Sequence, residues 1–184
     1  QLNNVLFQTS RHNLLNSSMT DSGTDHCNVL LDMACAFASN DFDIINYFLP
    51  KTLPQSKGTF YTEISVNLIK VMYYNQTEFI ESAVAKANKF LNKKNTAWEE
   101  YVVKYFLALI DRNLNEVNFC LQEICKAYQR IGYPKSPIDK CFGEEIHGFY
   151  RFSKAIDESF FKKIERPKHY CFFEEFELWQ IDNN

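Results

Sequence analysis

The sequence predicts an all-α protein of stacked antiparallel helical hairpins, followed by an irregular, aromatic-rich C-terminal cap. Two observations carry this prediction. Apolar residues recur at helical spacing along most of the 184 residues, and only five Gly and five Pro interrupt them, which argues against a turn-rich β fold. In addition, an asparagine followed three residues later by an acid precedes three of the apolar runs, at Asn40, Asn75 and Asn113.

The three asparagines predict where the second helix of each hairpin begins. Asparagine is a favoured helix N-cap, and an acid at the third helical position can bond back to the cap and favours the helix dipole. Another apolar run lies just upstream of each asparagine, so each unit is a helix, a very short turn and a helix. The predicted hairpins span residues 24–49, 59–92 and 96–130, and Thr96 with Glu99 supplies a capping box for the third.

The chain is long enough to bury one sizeable core, so residues 1–184 are expected to form a single helical domain. A hairpin cannot bury its apolar stripe alone, and stacked neighbours solve this problem, as in an α-solenoid. An N-terminal segment, residues 1–23, precedes the three hairpins of residues 24–130. Short helices and the C-terminal cap are expected to occupy residues 131–184.

The region after the hairpins is predicted with less regularity. Ser136 and Pro137 fit the N-cap and first position of a short helix. Another helix is predicted from about Gly143 to Glu158. For the cap that follows, a closing helix and a partly extended chain both fit the sequence.

The spacing of Trp98, Tyr101, Val102 and Tyr105 is similar to that in the first helix of a tetratricopeptide repeat. However, Val102 stands where that repeat has a small residue, and the second helices lack its alanine and proline pattern. We therefore expect an array that is tetratricopeptide-like or α-solenoid-like in arrangement but held together by generic helix packing.

Charge and composition limit the possible function classes. The net charge of −3 divides into −4 for residues 1–50, +4 for residues 51–140 and −3 for residues 141–184. No dominant basic face is expected, so direct nucleic-acid binding is not predicted, whereas the acidic ends suit a basic partner. No apolar run approaches the ~18 residues of a membrane span, and no signal-peptide pattern is present, so we expect a cytoplasmic protein without a membrane partner.

No motif in the sequence indicates an enzyme or a cofactor. A glycine-rich phosphate loop, a nucleophile elbow and a His-Glu-x-x-His motif are all missing. Glu144 and His147 have the spacing of a di-iron ligand pair, but no second such pair occurs. The sequence therefore predicts no catalytic residue, no cofactor and no metal ligand, and an enzyme using Glu144, Glu145 and His147 stands as the less favoured alternative.

The six cysteines form no Cys-x-x-Cys pair and are interpreted as reduced thiols. Cys120 and Cys125 lie on one amphipathic helix, where packing in the core is the expected role. His26 and Cys27 lack further ligands at suitable spacing for zinc.

Surplus aromatic and acidic residues predict a protein-binding surface. They are densest in "FFEEFELW", residues 172–179, and Trp and Tyr often anchor protein interfaces. The residues predicted to contact a partner are Asp41, Asp43, Glu174, Glu175, Glu177 and Trp179.

The hairpins "LLDMACAFASNDFDIINYFL" and "WEEYVVKYFLALIDRNLNEVNFCLQEICKAYQRI", with the short helix and proline-containing tail that follow, resemble the Immunity protein 49 family across residues 26–170. Members are all-helical proteins encoded beside polymorphic toxins in bacteria. The resemblance implies a cytoplasmic protein that binds and neutralises a cognate toxin by covering its active site. A nuclease with a basic cleft is one toxin class that would fit the acidic residues. The family supplies no catalytic residue.

A second interpretation is a tetratricopeptide-like adaptor or chaperone that binds a peptide in a concave groove. It predicts that polar residues of the inner helices, Asn67, Lys70 and Lys104, line that groove.

Overall fold

The computed structural model describes residues 1–16, 23–48, 58–131 and 139–182, and the regular structure in these ranges is entirely helical, which confirms the all-α prediction. A 3-10 turn, Asp139–Cys141, precedes the eighth helix. The helices in chain order are α1 Leu2–Asn16, α2 Gly23–Ala38, α3 Phe42–Phe48, α4 Tyr61–Tyr73, α5 Thr77–Leu91, α6 Ala97–Ile110, α7 Leu114–Tyr128, α8 Glu144–Ile156, α9 Glu158–Phe161 and α10 Glu174–Asp182.

The three predicted hairpins are present as α2–α3, α4–α5 and α6–α7. The predicted capping box opens α6, where Glu99 Oε2 accepts from the Thr96 N–H at 2.8 Å and Thr96 Oγ1 accepts from the Glu99 N–H at 3.3 Å. The short helix predicted at Ser136 and Pro137 lies outside the described residues.

The hairpin turns correct the interpretation of two of the three asparagines. Asn113 caps α7, with its side chain accepting from the Glu116 N–H at 3.2 Å. Asn40 and Asn75 are not N-caps, because each has a positive φ, 57° and 51°, and ends the preceding helix. Asparagine suits this left-handed position because its short polar side chain tolerates it better than most. In the third hairpin the same position belongs to Arg112, with φ 53°.

All three turns share one hydrogen-bond pattern. The N–H of the residue after the left-handed position donates to the carbonyl five residues back, in the pairs Asp41–Ala36, Gln76–Val71 and Asn113–Ala108, at 2.8–3.0 Å. That residue is also the N-cap of the next helix, which explains why the connection is so short. The repeat in the sequence is therefore real, but its equivalent positions are 40, 75 and 112.

The first helices of the hairpins stack in chain order, α2 against α4 and α4 against α6. Helix α4 lies at the centre, and every residue from Thr62 to Val71 is buried. One apolar core extends from Val29 to Phe172. A smaller cluster joins α1, α2 and α10 through Leu6, Cys35, Ala38 and Phe176.

Helix α8 folds back across the array and packs most extensively on α2, the first helix of the first hairpin. It makes far fewer contacts with α7, which directly precedes it among the long helices. Gly148 makes this crossing possible, since a Cβ there would lie 2.2 Å from the Ala34 carbonyl oxygen. Phe149 and Phe152 then reach Phe106 with ring centroids 5.3 and 5.8 Å apart. The array is thus closed by a later helix rather than left open as a solenoid.

Both alternatives predicted for the C-terminal cap, irregular chain and a closing helix, are present in succession. Residues 162–173 have no regular helix, and α10 follows them. Gly143 precedes α8 as its N-cap, close to the predicted start, and α8 ends at Ile156.

Candidate functional site

One exposed face of α10 carries aromatic, aliphatic and acidic side chains together. Phe173, Glu174, Glu175, Leu178 and Trp179 are all exposed, and Trp179 retains 44 % of its accessible surface. Positions 174, 175, 178 and 179 share one side of a helix because they are one, four and five residues apart. We call these five residues the α10 outer face. Large exposed apolar side chains grouped together, with polar residues at their rim, are typical of a protein interface.

The inner face of α10 is held by a buried ion pair. Glu177 is 1 % exposed, and its Oε2 lies 2.6 Å from Arg151 Nε on α8, although the N–H is not aligned for a regular hydrogen bond. Arg151 Nη2 also donates to the Glu177 carbonyl oxygen at 3.3 Å. A buried carboxylate requires such a partner, because leaving it unpaired costs several kcal/mol.

His147 completes this cluster from the preceding turn of α8. Its Nε2 accepts from the Phe173 N–H at 3.0 Å, so Nδ1 carries the proton and donates to Glu177 Oε1 at 2.7 Å. The ring is stacked between Phe142 and Phe172, with centroids 4.7 and 4.4 Å away. Burial lowers the pKa of His147 despite the adjacent carboxylate of Glu177. The neutral histidine thus fixes the start of α10.

The far end of α10 is tied to the N-terminal half of the chain by Gln180. Its Nε2 donates to the Ala38 carbonyl oxygen and to Asn3 Oδ1, both at 2.7 Å. Its Oε1 accepts from Asn40 Nδ2 at 3.1 Å. The α2–α3 turn therefore lies against the end of α10, and the two sequence regions predicted to bind a partner are neighbours in the fold.

The predicted contact residues separate into exposed and internal groups. Glu174, Glu175, Trp179 and, on α3, Asp43 are exposed, as a surface role requires. Glu174 also pairs with Arg166 at 2.9 Å. The placement of Glu177 on the surface is wrong, since Glu177 is the buried partner of Arg151 and His147.

Asp41 is likewise internal, and its predicted surface role is wrong. Its side chain is 1 % exposed and forms a two-point contact with Arg11 of α1, at 2.7 and 2.8 Å. Its Oδ1 also accepts from the Ile44 N–H at 3.2 Å, which caps α3. Asp41 therefore stabilises the hairpin turn, and Phe42, Asp43 and Tyr47 form the exposed side of α3.

The residues predicted for a peptide groove do not form one. Asn67 and Lys70 are buried within α4, at the centre of the core. Lys104 lies on α6 and pairs with Glu100, one turn before it. The described helices therefore place two of the three residues where a peptide at the surface would not reach them.

A separate open cleft of about 900 Å³ lies beside the irregular segment before α10. Tyr150, Phe161 and Phe172 supply its aromatic lining. The other lining residues are Lys162, Ile164, Glu165, Arg166, Pro167, Lys168, His169 and Glu174.

At the edge of this cleft, three residues that were not grouped by the sequence come together. One ligand-type atom each of Cys125, His169 and Cys171 lies within 4.8 Å of the other two. Both cysteines are buried and His169 is partly exposed. Cys120 and Cys125 are both buried in the core, as predicted. Cys120 lies outside the cluster, and its Sγ is 3.6 Å from a Glu116 carboxylate oxygen. The sequence does not indicate this three-residue cluster, because 44 residues separate Cys125 from His169.

The remaining chemical candidates have structural surroundings. His147 is turned inward towards Glu177, so it does not form a ligand pair with Glu144. The side chains of His26 and Cys27 lie outside what the structure describes.

The chain matches no family model, no curated protein and no solved structure. Among the described residues, no helix has both the length and the apolar character needed to cross a membrane.

Proposed function

We propose that this chain is an immunity-type protein that binds and neutralises a cognate protein toxin in the cytoplasm of the producing cell. The α10 outer face is its contact surface. The observation that carries this proposal is the combination of exposed Phe173, Leu178 and Trp179 with Glu174 and Glu175 on a helix anchored from beneath. The resemblance to the Immunity protein 49 family supports the choice of a toxin as the partner.

Rigid anchoring makes this face suitable for tight binding. Arg151 and His147 fix Glu177 on the opposite side of α10, and Gln180 fixes its end. A surface that is already ordered loses little conformational entropy on association, so more of its contact energy appears as affinity. Trp179 is the expected anchor, since truncating a central Trp commonly costs ~2 kcal/mol or more.

The carboxylates give the face a preferred class of partner. Glu174 and Glu175 project beside the aromatic side chains, which favours a toxin with a basic active-site cleft, such as a nuclease. The chain would then act by occlusion and would have no catalytic residue, cofactor or nucleic-acid contact of its own.

Co-expression with the product of the adjacent gene tests the proposal. We expect a one-to-one complex and rescue of growth. Trp179→Ala should weaken binding on the order of 30-fold or more, which corresponds to ~2 kcal/mol. Phe119→Ala is the matched control, because Phe119 is an exposed aromatic residue on α7 and is not part of the α10 outer face. If the wild-type chain forms no complex and does not rescue growth, the proposal is refuted.

A further inference from the structure

The cysteine and histidine cluster at the edge of the cleft has the composition of a metal site. Cys125 comes from the C-terminal half of α7, while His169 and Cys171 come from the irregular segment before α10. His169 Nδ1 lies 3.1 Å from Cys171 Sγ, and Cys171 Sγ lies 3.8 Å from the Cys125 carbonyl oxygen. Both thiols are free rather than joined as a disulfide.

We propose that Cys125, His169 and Cys171 bind one Zn²⁺ ion through the two Sγ atoms and His169 Nδ1. Two thiolates and an imidazole are a favoured donor set for zinc, which takes Zn–S distances of ~2.3 Å and Zn–N distances of ~2.1 Å. Tetrahedral geometry at those distances places ligand atoms roughly 3.5–3.8 Å apart. The three atoms all lie within 4.8 Å of one another, and His169 Nδ1 and Cys171 Sγ are 3.1 Å apart, so shifts of about 1 Å or less bring them to that arrangement.

The surroundings of His169 fit its role as a ligand. Its other ring nitrogen, Nε2, lies 3.1 Å from the side-chain amide of Gln129. With Nδ1 on the metal, Nε2 carries the proton and donates to Gln129 Oε1 after the amide is turned over. A partner of this kind holds a ligating histidine in one tautomer and one orientation.

The cleft gives the ion a path and a fourth position. His169 lines the 900 Å³ cleft and is partly exposed, whereas both thiols are buried. A site with three protein ligands leaves one coordination position for water. Binding converts the two thiols to thiolates and releases their protons to solvent, so the charge of the ion is balanced.

This site is separate from the proposed function, because metal binding can be tested on the chain alone, without a toxin. Its structural consequence is local. An ion bound to α7 and to residues 169–171 would cross-link the core to the irregular segment that leads into α10.

The test uses the whole 184-residue chain, purified with reductant and chelator and then freed of both. Titration with Co²⁺ should give one equivalent bound, with thiolate-to-cobalt charge-transfer bands that disappear when Zn²⁺ is added. Cys125→Ser and Cys171→Ser should each lose these bands. Cys120→Ser should retain them, because Cys120 is equally buried on α7 but lies outside the cluster.

Two further variants keep the test decisive if a buried cysteine variant does not fold. His169→Ala changes a partly exposed side chain and should abolish stoichiometric binding. Gln129→Leu should weaken Zn²⁺ binding by roughly 10–100-fold, as expected for the partner of a ligating histidine. Zn²⁺ should also raise the thermal unfolding midpoint of the wild type and of Cys120→Ser, but not of His169→Ala. Absence of thiolate bands in the wild type, or their retention in His169→Ala and Cys171→Ser, would overturn the proposal.

Discussion

Glu177 shows that the type of a residue does not by itself give its role in the fold. It stands in the sequence among Glu174 and Glu175, and the three look alike as surface acids. In the fold, Glu177 faces the core with Phe176 and Gln180, and its partners lie 26 and 30 positions earlier, at Arg151 and His147. The sequence gives a partial indication of this burial, because Glu177 is adjacent to the apolar Phe176 and, three positions before Gln180, shares a helix face with it. The partners themselves are not visible in any local window.

The buried ion pair gives a direct test at the residue scale. Glu177→Gln removes the charge that balances Arg151, and breaking a buried pair on one side typically destabilises by about 3–5 kcal/mol. Urea denaturation at neutral pH measures the free energy of unfolding. Glu175→Gln is the matched control on the exposed side of α10 and should change it by less than ~0.5 kcal/mol. Equal losses in the two variants would show that Glu177 is not internal.

His147 predicts how stability depends on pH. Its pKa is lowered in the folded protein by burial, from an unfolded value of about 6.5. The unfolded chain therefore binds the proton more readily, and stability is lost as pH falls from about 7 through 6.5 towards 5. His147→Gln should reduce this loss, measured as the free energy of unfolding at pH 7, 6 and 5.

The control for this pH effect is His12→Gln, which replaces an exposed histidine of α1. The pH dependence should differ from that of the wild type less in this variant than in His147→Gln, because His147 is the buried histidine. A wild-type free energy of unfolding that increases as pH falls over this range would contradict the burial of a neutral His147.

At the scale of elements, the sequence was informative about helices and their pairing but less so about the turns. Apolar spacing predicted the three hairpins because each helix buries one face, and the capping box at Thr96 was correct. Asn40 and Asn75 were misassigned because asparagine is favoured both as an N-cap and in the left-handed position that ends a helix. The adjacent Asp41 and Gln76 are the residues that precede the next helices, and a one-residue shift cannot be resolved from propensity alone.

The turn geometry is tested at Asn75, an exposed residue with φ 51°. Asn75→Gly should be neutral or slightly stabilising, because glycine adopts this conformation without steric cost. Asn75→Val should destabilise by ~1–2 kcal/mol, since a β-branched side chain is strained there. Thermal and urea unfolding of the two variants provide the comparison. Similar stability for valine and glycine at this position would argue against the left-handed turn.

The crossing of α8 over α2 is tested at Gly148. Replacing glycine by alanine inside a helix normally stabilises by up to ~1 kcal/mol. Here the added Cβ would meet the Ala34 carbonyl oxygen and Cα at 2.2 and 2.5 Å, and backbone atoms cannot turn aside. Gly148→Ala should therefore destabilise by ~3 kcal/mol or more, at or above the upper end of the usual cost of overpacking.

Gly143→Ala is the comparison for this crossing. Its nearest non-neighbouring atom is Cδ1 of Ile146, the end of a flexible side chain, so the loss should be smaller. Loss of stability by both variants is measured from urea denaturation. A stabilised Gly148→Ala variant would show that the two helices do not meet at this point.

At the scale of the whole molecule, the order of the helices in the chain does not give their order in space. Stacking of α2, α4 and α6 follows from the sequence, but the return of α8 to α2 depends on contacts more than 100 residues apart, such as Gly148 with Ala34. The same long-range closure places α10 against α1 and the α2–α3 turn. For the contact surface, composition identified the region around Trp179. The structure places Asp41 and Glu177 inside the protein, and it adds the exposed Phe173 and Leu178 to that surface.

The central claim is that the α10 outer face binds a protein toxin, and one titration tests it most directly. The purified product of the adjacent gene is titrated with the wild type, with Trp179→Ala and with Phe119→Ala, by calorimetry. We predict a one-to-one complex, an affinity lowered on the order of 30-fold or more by Trp179→Ala, and no change with Phe119→Ala. A toxin bound equally well by all three chains, or not bound by the wild type, would contradict the claim.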